Sequence, residues 1–192
     1  MKHITVGTTL SALLLCAACA KEPPSDKDAP AAQPAQKSGQ PSFTAPKGET
    51  MSAEVLLRTR AALSYYEQLR ASLAGDDLKP VADQATKLEE VTRVAAGKAS
   101  GKAKDSLEEA TKAAGGLKAA KDIGAARLAF GELSRHVVAL VSAEKELQRG
   151  QFVFECPMAK GYKRWIQPND RMANPYMGKK MLECGSKVGW SS

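Results

Sequence analysis

The 192-residue chain is poor in the side chains from which most catalytic and metal sites are built, with two histidines, four cysteines and 5% aromatic residues. His3 lies at the extreme N-terminus, so His136 is the single histidine of the remaining chain. A haem-attaching C-x-x-C-H is absent, and so are Glu-x-x-His pairs for a carboxylate-bridged metal centre. Zinc fits poorly, because two cysteines and one distant histidine cannot complete its usual four ligands. There is no paired general acid and base, no Ser-His-Asp set and no phosphate-binding loop, which argues against an enzyme. The lack of a repeat of twenty to fifty residues argues against a solenoid. His136 and the aromatics Tyr65, Tyr66 and Phe130 read as boundary and core residues.

Scarce aromatics beside abundant alanine, lysine, glutamate and leucine lean towards helices, and 43% hydrophobic residues is ordinary for one modest globular core. The formal charge of +7 comes from cations interleaved with acids and never from a long basic run. That pattern is a solvated surface, not a nucleic-acid footprint.

Long apolar runs are missing as well. After Lys2 and His3, residues 4–15 form an apolar stretch of the length a secretory signal needs, too short for a permanent span. It ends in Leu15-Cys16-Ala17-Ala18-Cys19, which resembles the lipobox of bacterial lipoproteins. Cys19, preceded by small residues, is the expected lipidated residue; Cys16 would place bulky Leu15 at the cleavage position. The resemblance implies a signal peptide over residues 1–18 and a protein anchored by lipid to the periplasmic face of a bacterial membrane. By the same resemblance, Ala20 after the cysteine implies the outer membrane over the inner. Residues 19–50 then read as a lipidated cysteine and a disordered tether, with six of the ten prolines in 21–50 and almost nothing apolar to bury.

Residues 51–150 carry helical periodicity. Ser52 caps a first helix bearing Leu56, Leu63, Tyr66 and Leu73 and stopped by Gly75. Asp76 and Asp77 cap a second, with Pro80 in its first turn and Val81, Ala85, Leu88 and Thr92 on its buried stripe, ending near Gly97. A third carries Ala103, Leu107, Ala110, Ala114 and Leu117 and is weakened by Gly115 and Gly116. Asp122 caps a fourth that continues to about Gln148. The expected fold class is all-α: an antiparallel up-and-down four-helix bundle followed by a small irregular or β-hairpin module.

That module, residues 151–192, holds four of the six methionines and the two cysteines expected to stay free of lipid. The pattern predicts a hairpin of Phe152-Val153-Phe154 with Arg164-Trp165-Ile166 around Gly161, Cys156-Pro157-Met158 at its first strand's end, and a turn at Asn174-Pro175-Tyr176 with Gly178. Cys156 with Met158, and Met181 with Cys184, make two short sulfur pairs. Thiolate and thioether are soft donors that favour Cu(I), and by the same softness Ag(I). Seven Lys or Arg from Lys160 to Lys187 would lower the cysteine pKa values. The alternative is a Cys156–Cys184 disulfide, which spacing alone ranks first and which would contribute roughly 3 to 4 kcal/mol. Cys156-x-Met158 does not supply the C-x-x-C of a thiol oxidoreductase.

Cys156-Pro157-Met158-Ala159, Trp165, Asn174-Pro175-Tyr176, Gly178, Met181-Leu182 and Cys184-Gly185 resemble the signature of a bacterial domain-of-unknown-function family. The family occurs as exported lipoproteins and fused to periplasmic adaptor subunits of copper/silver efflux systems. Asp122, Ala126-Arg127, Phe130 and Leu133-Ser134 match its other pattern, and the resemblance spans about residues 52–188. It implies heavy-metal handling, with Cys156, Met158, Met181 and Cys184 as ligands and a heavy-metal efflux adaptor as partner. Met177 stands where an aromatic is expected and is a secondary thioether. The rival reading is an interaction module in which Cys156 and Cys184 form a disulfide and Trp165 and the Asn174-Pro175-Tyr176 turn bind another envelope protein.

Overall fold

The computed structural model describes residues 51–190. The signal peptide, the Cys19 lipidation site and the 19–50 tether lie outside the described residues. Helix α1 (Ala53–Ala74) begins where Ser52 accepts the Val55 N–H at 3.3 Å and ends at Gly75, as its caps predict. Its buried stripe is Val55, Thr59, Ala62, Leu63, Tyr66, Leu69 and Leu73, so Leu56 lies beside the stripe and is half-buried. Helix α2 (Val81–Ala96) buries Val81, Ala85, Leu88 and Thr92, with Pro80 at the N-cap position and not inside the first turn. Asp77 caps no helix; its carboxylate accepts the Lys79 N–H at 3.0 Å, still upstream of α2. Asp76 has φ 56° and is turned towards Arg127.

Helix α3 (Gly101–Ala119) runs through Gly115 and Gly116 without interruption, because Ala114 and Leu117 on either side of them are buried. Tertiary burial there outweighs the cost of glycine, about 1 kcal/mol per residue. Helix α4 (Ile123–Ala143) is capped by Asp122, which accepts the Ala125 N–H at 2.8 Å. The single helix expected to Gln148 breaks instead at Glu144. Its carboxylate accepts the Met51 N–H and the Glu146 N–H, which restarts the chain as the short α5 (Lys145–Gln148) and buries Leu147. Along the body α1 packs on α2, α2 on α3 and α3 on α4, while α4 also meets α1.

The strands β1 (Phe152–Glu155) and β2 (Arg164–Gln167) form the expected hairpin, antiparallel with Phe154 opposite Trp165. A third strand, β3 (Ser186–Val188), pairs with the other edge of β1 and makes the sheet order β2-β1-β3. The chain is thus mostly helical with a small three-stranded sheet, not a hairpin alone. β3 has two exposed residues and one half-buried, so no hydrophobic alternation announces it.

An aromatic seam joins this sheet to the helices. Tyr66 of α1 stacks on Phe130 of α4 at 5.0 Å between centroids, Phe130 meets Tyr176 at 5.9 Å, Tyr176 meets Trp165 at 5.8 Å, and Trp165 stacks on Phe154 at 5.5 Å. The polar tips are satisfied: Tyr66 Oη shares a 2.7 Å bond with Ser134, and Tyr176 Oη donates to the Arg164 carbonyl at 2.7 Å. Burial first, despite the Ser134 bond, pushes the Tyr66 phenol far above its ordinary range, so it stays neutral.

A charged clamp closes the same junction. The Arg127 guanidinium donates to the carbonyls of Pro175 at 2.9 Å and Leu73 at 3.0 Å and pairs with Asp76, whose other oxygen accepts the Lys179 N–H at 3.0 Å. Gly178, at φ 63°, lies under this pair, where a Cβ would run into both side chains. Partial burial pushes the Asp76 carboxyl up, but the hydrogen bonds and charges of Arg127 and Lys179 outweigh it and hold the pKa below the usual value. A depressed folded-state pKa contributes stability that is present above the unfolded value, about 3.9, and is lost as pH falls through the folded one. Asp76→Asn, which keeps a residue that tolerates positive φ, is expected to lower the urea midpoint at pH 6. The gap to the wild type should close as pH falls below about 4; a gap constant from pH 6 to 3 would show that the charge is idle.

Candidate functional site

Cys156 directly follows β1. Its N–H donates to the Lys163 carbonyl at 3.0 Å, closing the hairpin, and its carbonyl accepts the Ala159 N–H at 3.2 Å. The second bond closes a four-residue turn with Pro157 in the position where a fixed φ near −65° is favoured. This turn folds Met158 back over the strand end, so that Cys156 is 0% exposed while Met158 is 57% exposed.

The second sulfur pair arrives from the far end of the module. The turn predicted at Asn174-Pro175-Tyr176 is made by Asn174 itself, whose Oδ1 accepts the N–H groups of Tyr176 at 2.8 Å and Met177 at 3.1 Å. A 3-10 turn, Gly178–Met181, follows, and the Cys184 N–H donates to the Met181 carbonyl at 3.0 Å. Asn174 Nδ2 then donates to the Cys184 carbonyl at 2.6 Å. Gly185, at φ 137°, passes so close to the Glu155 carbonyl that a Cβ would stand 2.5 Å from it. One residue later β3 pairs Ser186 with Glu155.

These constraints bring three of the predicted sulfurs together. Cys156 Sγ and Cys184 Sγ are 3.5 Å apart as free thiols, and Cys184 Sγ lies 3.8 Å from Met158 Sδ. Met181 is tied to Cys184 through its backbone carbonyl. Met177 lines, with Met158, an open cavity of about 310 Å³ whose other walls include Leu128, Lys160 and Tyr176. Met172, which the sequence pattern did not single out, has its sulfur against Gly185: a Cβ there would stand 3.4 Å from it. Its only sequence signal is that it is one more methionine in the sulfur-rich tail.

The electrostatics depart from expectation at Cys184. The surrounding lysines and arginines do not lower its pKa; the hydrogen bond with Cys156, then burial, then the charge of Cys156 raise it. Cys184 therefore resists losing its proton to water, and a cation bound there would supply the missing compensation. Three sulfurs centred on a metal at ~2.3 Å, the thiolate distance of a tetrahedral zinc site, would stand roughly 4 Å apart. The two observed spacings of 3.5 and 3.8 Å lie near that value. The same geometry is about 1.5 Å of sulfur movement from a disulfide bond. Among the described residues no group of three or more His, Cys, Asp or Glu is placed to hold a metal ion, so any site here depends on thioether.

Gly185→Ala tests how the site is assembled. The added Cβ at a left-handed position should push β3 from the Glu155 carbonyl, separate the thiols and cost about 1 to 3 kcal/mol of stability. Diamide-driven closure of the Cys156–Cys184 bond, followed by thiol count, is expected to slow at least tenfold; an unchanged rate would show that β3 does not set the spacing.

Residues 62–149 match the model of a family described as a protein of unknown function (DUF3347). The match runs from α1 through α5 and ends before β1, so it covers the helices and not the sulfur cluster, a narrower span than 52–188. No curated protein and no solved structure matches the chain. Among the described residues no helix is long and apolar enough to cross a membrane.

Proposed function

We propose that this is a non-enzymatic lipoprotein of the bacterial envelope that holds a soft monovalent cation, Cu(I) or by the same chemistry Ag(I), at Cys156, Cys184 and Met158. The observation that carries the reading is the convergence of two thiols and one thioether within 3.5 and 3.8 Å. Soft donors of this kind select Cu(I) over hard cations, and thioether binds without losing a proton. Met181, joined to Cys184 by one backbone bond, is the fourth candidate ligand, and Met177 a more distant one. The site buffers the ion or hands it to a heavy-metal efflux partner, as the family resemblance implies. The helical body, read as an up-and-down antiparallel bundle, serves as its platform.

The placement of Met51 supports a tethered site. Met51, where the proposed tether joins, is bound to Glu144 beside the start of α1. The Arg127 clamp that fixes the module sits at the other end of α1, on Leu73 and Asp76. With a 22-residue helix between them, the clamp stands roughly 30 Å from the point of attachment.

The second reading is a structural disulfide in an envelope interaction module, favoured by the same 3.5 Å contact. Anaerobic titration of reduced protein with Cu(I) against a competing chelator separates the two. The expected result is one ion bound per chain, with affinity reduced at least a hundredfold in Cys156→Ser and about tenfold, or 1.4 kcal/mol, in Met158→Leu. Met181→Leu should fall between Met158→Leu and the wild type. A disulfide that forms quantitatively and, after reduction, leaves protein that takes up no copper would sink the copper reading.

A further inference from the structure

The two cysteines are close but stand in unequal positions. Cys156 is fully buried at the end of β1, with both its N–H and its carbonyl bonded. Cys184 is half-buried, on the short stretch between a 3-10 turn and β3, with Gly185 next to it. Its outer cover is Met158, which is 57% exposed on the Pro157 turn. Beside Met158 opens the cavity of about 310 Å³ lined by Leu128, Lys160 and Met177. Of the two cysteines, Cys156 is fully buried and only Cys184 keeps part of its surface in solvent.

We propose that Cys184 is a thiol–disulfide exchange site, opened by the thiolate of an external dithiol protein, with Cys156 as the buried sulfur that leaves. In the reducing direction the external thiolate bonds to Cys184 Sγ, the Cys156–Cys184 bond breaks, and Cys156 departs as thiolate. The partner's second thiolate then attacks its own mixed-disulfide sulfur, closing the partner's disulfide and releasing Cys184 thiolate. Two electrons pass from the partner's dithiol to this chain, and the protons lost by the partner's thiols balance those the two cysteines can take up. Exchange depends on which sulfur is attacked and on access to it, and here access differs between the two sulfurs.

The proposal rests on the pairing of the two sulfurs. It meets the soft-cation reading at one point: a disulfide removes both thiolates, so reduction at Cys184 would make the site competent to bind. The test uses no metal, so its failure is distinct from failure of the copper titration.

The reverse reaction supplies the probe. Reduced full-length chain, Cys156→Ser and Cys184→Ser are treated with glutathione disulfide, quenched with acid, and the adducts assigned by peptide mass. Cys156→Ser is expected to retain glutathione on Cys184. The wild type should close its internal disulfide with no lasting adduct, and Cys156 in Cys184→Ser should react at least tenfold more slowly than Cys184 in Cys156→Ser. Equal rates in the two variants, or a wild type that keeps its adduct, would overturn the assignment. Because either serine could loosen the fold, pulsed iodoacetamide labelling of the reduced wild type provides a second reading. Cys184 should be labelled at least tenfold ahead of Cys156, and equal labelling would also overturn the proposal.

Discussion

The sulfur site depends on the amide of Asn174. This side chain is fully buried, and its donor and acceptor are both used: Nδ2 holds the Cys184 carbonyl, and Oδ1 holds the N–H groups of Tyr176 and Met177. The Asn174 backbone adds two bonds, its N–H to Leu182 and its carbonyl from Gly178. The nine residues between Asn174 and Cys184 are thereby closed into one loop whose two ends meet at Asn174. Losing one partner of a buried polar group exposes the full desolvation cost of the other, about 1 to 3 kcal/mol. Apolar replacement of Asn174 would also free Cys184 from the position that sets it beside Cys156.

The helices matter to this site as a fixed wall. The NPY loop lies against them through Tyr176 in the aromatic seam, through Arg127 on the Pro175 carbonyl, and through Arg70, which donates to the Ala173 carbonyl at 2.6 Å. Arg70 is itself held by Glu67 in a largely buried pair on α1. Ala173, Pro175 and Tyr176 are therefore bonded or packed to the body on either side of Asn174. A loop held so firmly can present a soft site with little reorganisation, which is the condition for selective binding by weak thioether ligands.

Much of this architecture was legible in the sequence, and the failures have physical causes. The four long helices followed from periodicity and caps, with Ser52 and Asp122 used as their chemistry requires. Asp76 misled because an acid before a helix reads as a cap, while here its left-handed backbone aims it at Arg127, a residue 51 positions away. The break at Glu144 was illegible because Glu144, followed by Lys145 and Glu146, carries no local stop signal, and its bond to the Met51 N–H comes from a residue 93 positions away. Strand β3 was illegible because it is short and solvent-facing, and its pairing is supplied by β1. For the site, the C-P-M and Asn-Pro-Tyr segments were identifiable from their turn chemistry. Their meeting was not, because it rests on backbone contacts of Gly185 and Asn174 that leave no spacing pattern. The expected lowering of the cysteine pKa values failed at Cys184 because the nearest interacting group is another thiol and not a cation.

The central claim is that Cys156, Cys184 and Met158 act together on one soft ion. Copper K-edge X-ray absorption of the Cu(I)-loaded chain tests it directly. The account predicts a first shell of sulfur alone, three atoms in the wild type and two in Met158→Leu. A shell containing nitrogen or oxygen, or a sulfur count that Met158→Leu leaves unchanged, would contradict it.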